Sequence, residues 1–126
     1  MKIISNTGPI IALEKVERLP LLKEIASEVL ISITVHRELF AKVGQESEAI
    51  EMAIADFIKI IDVKEKAIDR KIEMAIANLD EGEKQTIALA STFKEPTVIL
   101  LDDRAGRQVA KELGFPTTGS IGVLLR

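Results

Sequence analysis

The sequence predicts an α/β protein, a three-layer α/β/α sandwich around a short, mostly parallel sheet. Three observations carry this reading. Short apolar runs at Lys2–Ser5, Glu28–Ile33 and Thr97–Leu101 have strand length, and the segments between them repeat apolar residues at helical spacing. Turn residues, beginning with Asn6-Thr7-Gly8-Pro9, pass the chain directly from strand to helix. Strands that alternate with helices in this way pair in parallel and are buried on both faces. The 126 residues fit one domain over 1–126, long enough to bury a proper core.

Taken in order, Lys2–Ser5 is the first strand, and Pro9 is pre-set for the first turn of the helix that follows. Ile10, Leu13 and Val16 continue at helical spacing towards Leu21 and Leu22, with Pro20 marking a break or a new start. Glu28–Ile33 is the second strand. Thr34–Val43 reads as a helix with a Val35, Leu39 and Val43 stripe, ended by Gly44. A helix from Ser47 to about Phe57 runs through Ile50 and Ile54, and β-leaning Ile58–Val63 leads into a predicted helix over Lys64–Leu79. Its expected apolar face is Ala67, Ile68, Ile72, Ala75 and Ile76. A helix over Asp80–Lys94, the strand Thr97–Leu101 and a helix over Asp103–Leu113 closed by Gly114 come next. Phe115–Thr118 is a last short strand candidate, and Gly119-Ser120 opens a helix running to Arg126.

Composition narrows the chemistry. The absence of Cys excludes a disulfide framework, a thiolate nucleophile and a cysteine-ligated metal, and a single His excludes an imidazole cage. A metal would have to be held by oxygen, which favours hard ions such as Mg²⁺ or Mn²⁺. With 17 Lys and Arg against 20 Asp and Glu, the formal charge of −3 argues against bulk nucleic-acid affinity but leaves room for a local basic patch. The longest apolar runs, Ile10–Leu13 and Val98–Leu101, fall far below the about 18 residues of a spanning helix, so no membrane association is expected. No charged-then-apolar leader opens the sequence, and a cytoplasmic location is expected. Neither G-x-G-x-x-G nor G-x-x-x-x-G-K-[ST] occurs, which weakens a generic nucleotide-binding reading.

In a parallel sheet the ligand crevice lies at the carboxyl ends of the strands where their order reverses. That rule singles out Asn6, Glu38, Glu83 and the pair Asp102-Asp103. Each has a plainer role as well. Asn6 suits a turn or cap, Glu38 a helix dipole, and Asp80-Glu81-Gly82-Glu83 has the spacing of a capping box. One of the two Asp residues serves as a helix cap, yet two in succession exceed what a cap requires. Glu83 shares its face with Ile87 and Ala90, a poor place for a merely solvated acid. Converging carboxylates repel unless a cation neutralises them, so convergence implies a metal site. Arg104, Arg107 and Lys111, spaced three and four apart, form a basic stripe. It is either a solvated face or, beside an acidic metal site, a contact for a phosphate backbone. His36 reads as a surface or helix-start imidazole.

The stretches Ile4-Ser5-Asn6-Thr7-Gly8-Pro9-Ile10-Ile11-Ala12-Leu13, Val35-His36-Arg37-Glu38-Leu39, Asp80-Glu81-Gly82-Glu83, Leu100-Leu101-Asp102-Asp103-Arg104 and Gly119-Ser120-Ile121-Gly122-Val123-Leu124-Leu125 together resemble the PIN-domain proteins, in particular the DUF3368 subgroup. Many members of that subgroup look like toxins of toxin–antitoxin pairs. The likeness covers nearly the whole chain and rests on the order and spacing of the motifs. It implies a parallel sheet sandwiched by helices and a pocket of three or four acids that binds Mg²⁺ or Mn²⁺ for endonucleolytic cleavage of single-stranded RNA. Glu38 matches the acid on the helix after the second strand, Glu83 the acid opening the central helix, and Asp102 the acid after the fourth strand, with Asp103 the alternative.

Asn6 falls where the family normally has its first Asp. An amide oxygen coordinates a metal without charge, so affinity should drop. The resemblance therefore implies a PIN-type ribonuclease with a weakened or inactive site at Glu38, Glu83, Asp102 and Asn6, or else a non-catalytic RNA- or protein-binding PIN-like module. An antitoxin partner and a homodimer are implied by the resemblance only. Relatives generally continue past the Gly-Val-Leu-Leu segment, a C-terminal end that this chain is expected to lack.

Overall fold

Local hydrogen bonding and apolar alternation divide the chain into five strands and, among the described residues, eight α-helices, in a computed structural model that describes residues 1–43 and 48–126. In order these are β1 (Lys2–Ser5), α1 (Thr7–Lys15), α2 (Leu21–Ile25), β2 (Glu28–Ser32), α3 (Ile33–Val43), α4 (Glu48–Asp56) and β3 (Ile58–Ile61). A 3₁₀ turn at Val63–Glu65 precedes α5 (Arg70–Ala75), α6 (Glu81–Ser91), β4 (Thr97–Leu100), α7 (Arg104–Glu112), β5 (Thr117–Thr118) and α8 (Ser120–Leu124). The sheet order is β3-β2-β1-β4-β5, and every pair is parallel rather than mostly so. The expected helix end at Gly44, the side chain of Val43 and the helix start at Ser47 lie outside the described residues.

Successive strand side chains point to opposite faces, and the core divides accordingly. Ile3, Val29, Ile31 and Leu100 face one layer, where Ile10, Leu13, Leu22, Val35, Leu39, Ile50 and Val123 cover them. Ile4, Leu30, Ile99 and Leu101 face the other, against Ile76, Ile87, Leu89 and Ala110. These are the two helical layers of the predicted sandwich. Gly114, with φ +88°, ends α7 in the left-handed conformation that a residue without Cβ adopts freely. No helix among the described residues is long and apolar enough to cross a membrane.

The expected helix over Lys64–Leu79 is corrected. Asp62 accepts a hydrogen bond from the Lys64 amide at 2.9 Å, and Asp69 accepts one from the Lys71 amide at 2.7 Å. Such side-chain-to-backbone bonds compete with helix propagation, so the segment becomes a 3₁₀ turn, a connection and the short α5. Ala67 and Ala75, expected on its apolar face, are exposed, whereas Ile68, Ile72 and Ile76 still pack into the second core layer. The helix expected to reach Lys94 ends at Ser91.

Ile4 is fully buried at the centre of the sheet. Ile4→Ala should cost about 2–5 kcal/mol in urea unfolding, whereas truncating Met74, which is 70% exposed, should change stability by less than about 0.5 kcal/mol.

Candidate active site

β1 is flanked by β2 on one side and β4 on the other, so the strand order reverses there, and in a sheet of this kind the ligand side is the carboxyl ends of β1 and β4. Ser5 pairs with Leu100, and the Asn6 amide donates to the Leu100 carbonyl at 3.0 Å. Asn6 and the Leu101-Asp102 segment therefore leave the sheet side by side. The N-terminal turn of α6 approaches the same edge.

The closest convergence is at Gly82. A Cβ added there would collide with Glu38 Oε1 and lie 2.8 Å from Asn6 Oδ1, so oxygens from α3 and from the end of β1 meet on bare backbone. Thr7 Oγ1 donates to Glu38 Oε1 at 2.8 Å and fixes that carboxylate. The Ser32 hydroxyl accepts from the Val35 amide at 3.1 Å, anchoring the start of the helix that carries Glu38. Asn6 Oδ1 is buried and has no hydrogen-bond partner. Such an oxygen costs on the order of 1–3 kcal/mol until a water or a cation satisfies it.

One residue further along, a second pair forms. Asp80 and Glu83 make the expected capping box: Asp80 Oδ1 accepts from the Glu83 amide at 2.9 Å, and Glu83 Oε1 accepts from the Asp80 amide at 3.3 Å. Glu83 is 5% exposed, and its Oε2 lies 3.0 Å from where a Cβ on Gly106 would sit. Burial, and then a hydrogen bond with Asp103, push the Glu83 carboxyl up to about 7. The Gly106 amide, donating at 2.8 Å, and then Glu83 hold Asp103 below the usual carboxylate range. The proton thus resides on Glu83 and the charge on Asp103.

Asp102 takes a different role. The Ser120 amide donates to its Oδ1 at 2.7 Å, and the Ser120 hydroxyl reaches Oδ1 at 3.1 Å and Oδ2 at 2.9 Å, so this carboxylate anchors the start of α8. The two consecutive acids are divided: Asp103 caps its own helix and faces Glu83, while Asp102 holds a segment 18 residues away. A Cβ at Gly119 would lie 2.8 Å from Asp102 Oδ1 and 2.9 Å from Arg107 Nη1, so a larger residue there would push one of these side chains aside.

The structure therefore brings Asn6 to Glu38 and Glu83 to Asp103, at consecutive residues of α6, and turns Asp102 towards Ser120. Among the described residues no group of three or more His, Cys, Asp or Glu side chains is arranged to hold a metal ion. The amide and carboxylate oxygens at Gly82 are nonetheless hard donors of the kind Mg²⁺ or Mn²⁺ takes, and the unpartnered Asn6 oxygen fits such a group. Arg107 and Lys111 line a cavity with Asp102, while Arg104 is exposed outside it. His36 packs edge-on against Phe40, ring centroids 4.8 Å apart. Sequence reasoning assigned no role to Thr7, Gly82, Gly106 or Ser120. A hydroxyl directly after the Asn6 turn and a Gly-Ser pair opening the last helix were the available signals.

Glu83 binds a proton in the folded chain at pH values where the unfolded chain has lost it. Its stabilising contribution is full below its ordinary value of 4.5 and is lost as pH rises through about 7. Thermal melts in chelator should show the native protein losing stability between those limits relative to Glu83→Gln, whose amide cannot ionise. Parallel pH profiles would remove the assignment of the proton to Glu83.

The profile of DUF3368, described as a PIN domain, matches residues 2–126. Among curated proteins none matches the chain. PIN domains are nuclease-type modules that generally depend on a divalent metal ion. With an all-parallel five-stranded sheet between helical layers and a match over nearly its whole length, the chain belongs to the PIN-domain family.

Proposed function

We propose that the chain is a metal-dependent endoribonuclease of the PIN type, the toxin of a toxin–antitoxin pair, acting on single-stranded RNA in the cytoplasm with a site weakened by Asn6. The observation that carries this reading is the buried, unpartnered Asn6 oxygen converging with Glu38 on the bare backbone of Gly82. A buried side-chain oxygen that the protein leaves unpartnered is completed by a water or an ion.

Asn6 and Glu38 would hold Mg²⁺ or Mn²⁺, with Glu83, Asp103 and Asp102 as the further oxygen donors. The metal would activate a water and stabilise charge on the phosphate under attack. Thr7 orients the Glu38 carboxylate, burial and then Asp103 raise the proton affinity of Glu83, a proton that a bound cation would displace, and Ser120 sets the direction of Asp102. With an amide at position 6 the site carries one negative charge fewer than an acid there would give, which lowers cation affinity. Four Phe and no Trp or Tyr leave little for base stacking, so sequence selectivity is modest. Pairing with an antitoxin protein and homodimerisation belong to the same reading.

A non-catalytic PIN-like module that binds RNA or protein is the second reading. It is favoured by the absence, among the described residues, of three acids arranged around one point. Asn6→Asp separates the two. In Mn²⁺ it should raise cleavage of single-stranded RNA about tenfold or more, equivalent to about 1.4 kcal/mol of barrier. Chelator, Glu38→Gln or Glu83→Gln should abolish the activity. Silence of Asn6→Asp in Mn²⁺, or full cleavage by the Gln variants in clean preparations, would favour the binding module.

A further inference from the structure

Beyond the acids, α7, β5 and α8 flank an open cavity of about 650 Å³, within the size range of small-molecule sites. Arg107 and Lys111, one turn apart on α7, share its wall with Asp102, Thr117, Thr118 and Ser120. Among the described residues neither cation joins an ion pair with a carboxylate, and neither side chain donates a hydrogen bond to protein. Asp102, the acid on this wall, has both oxygens engaged by Ser120 and is not paired with either cation. Thr117 Oγ1 is a buried hydroxyl without a partner. Two like charges at i and i+4 repel and an orphaned hydroxyl is costly, and an anion that accepts hydrogen bonds would offset both, although Asp102 Oδ1 lies across Gly119 from Arg107 Nη1.

We infer that this cavity seats a phosphodiester group of single-stranded RNA, with Arg107 and Lys111 as its charged contacts and Thr117 as a neutral donor. The inference rests on the ribonuclease reading, in which Asp102, on this cavity's wall, is one of the oxygen donors. A guanidinium presents paired N–H donors that match two non-bridging phosphate oxygens, and Lys adds a point charge. Arg104, third in the basic stripe, is exposed outside the cavity wall. A phosphate monoester on a free nucleotide offers similar chemistry but lacks the neighbouring phosphates that a strand supplies.

Binding in chelator, where metal-dependent cleavage is silent, tests the seat apart from the reaction. Anisotropy of a short fluorescent single-stranded RNA is measured over a range of salt concentrations, with adenosine monophosphate as a competitor. Arg107→Gln with Lys111→Gln should weaken binding several-fold and flatten the salt dependence by about 0.7 in slope for each phosphate no longer neutralised. Arg107→Lys in place of Arg107→Gln should restore part of the slope, and Lys71→Gln, which removes one positive charge on exposed α5, should leave it unchanged. Loss of binding in the double variant supports the seat even if no variant cleaves RNA, an outcome in which the ribonuclease reading alone fails. A double variant with native affinity and slope, a native protein that does not bind the strand, or a mononucleotide that competes as tightly as the strand would overturn it.

Discussion

In the parallel register of β1 and β4, Ser5 lies beside Leu100, and both strands end at one edge. Because the strand order reverses between them, the connection leaving β1 and the one leaving β4 diverge into opposite helical layers, the arrangement that puts a ligand site at this edge. The polar groups of the site descend from that register. Asn6 is the first residue past β1, Asp102 lies just past β4, and α6 brings its N-terminal turn up to the same edge. The buried β-branched and Leu side chains that fix the register, Ile3, Ile4, Ile99 and Leu100, are thereby also what positions the donors.

The approach of α6 is close enough that a methyl group at position 82 would occupy the space of Glu38 Oε1 and Asn6 Oδ1. Cores are packed so that such a clash cannot be absorbed without moving a neighbour. Here the neighbours are the two oxygens themselves, so a side chain at position 82 would push one of them aside. The arrangement leaves the Asn6 oxygen buried without a partner and the Glu83 carboxyl buried and pushed up to about 7, two features that cost stability in the bare protein at neutral pH. Costs of this kind gather where a protein is shaped for a ligand rather than for its own stability.

Much of the frame is legible in the sequence because its signals are local. β1, β2 and β4 are apolar runs bounded by turn residues, and their ends fall within a residue of expectation. The Asp80–Glu83 capping box is a spacing rule that the structure follows atom by atom. The helix expected over Lys64–Leu79 failed because two aspartates, Asp62 and Asp69, offered the backbone a local alternative that periodicity does not weigh. Within the site, the division of labour between Asp102 and Asp103 was illegible, since it depends on Ser120, 18 residues on. Thr7 was missed as the partner of Glu38 for the same reason, 31 positions separating them. The basic stripe of α7 was readable as a face, but only the packing of β5 and α8 separates Arg107 and Lys111 from Arg104.

The account stands on the claim that the Asn6 amide and the Glu38 carboxylate form the donor pair to which a hard cation comes first. Paramagnetic broadening in a ¹⁵N NMR titration with Mn²⁺ addresses it most directly, because the Asn6 side-chain amide has its own resonance. At the lowest Mn²⁺ levels the account predicts that this resonance and the backbone amides of Thr7 and Gly82 broaden before any others, and that Glu38→Gln suppresses the effect. Broadening that begins at exposed acids such as Glu73 or Glu95 while the Asn6 side chain stays sharp would contradict it.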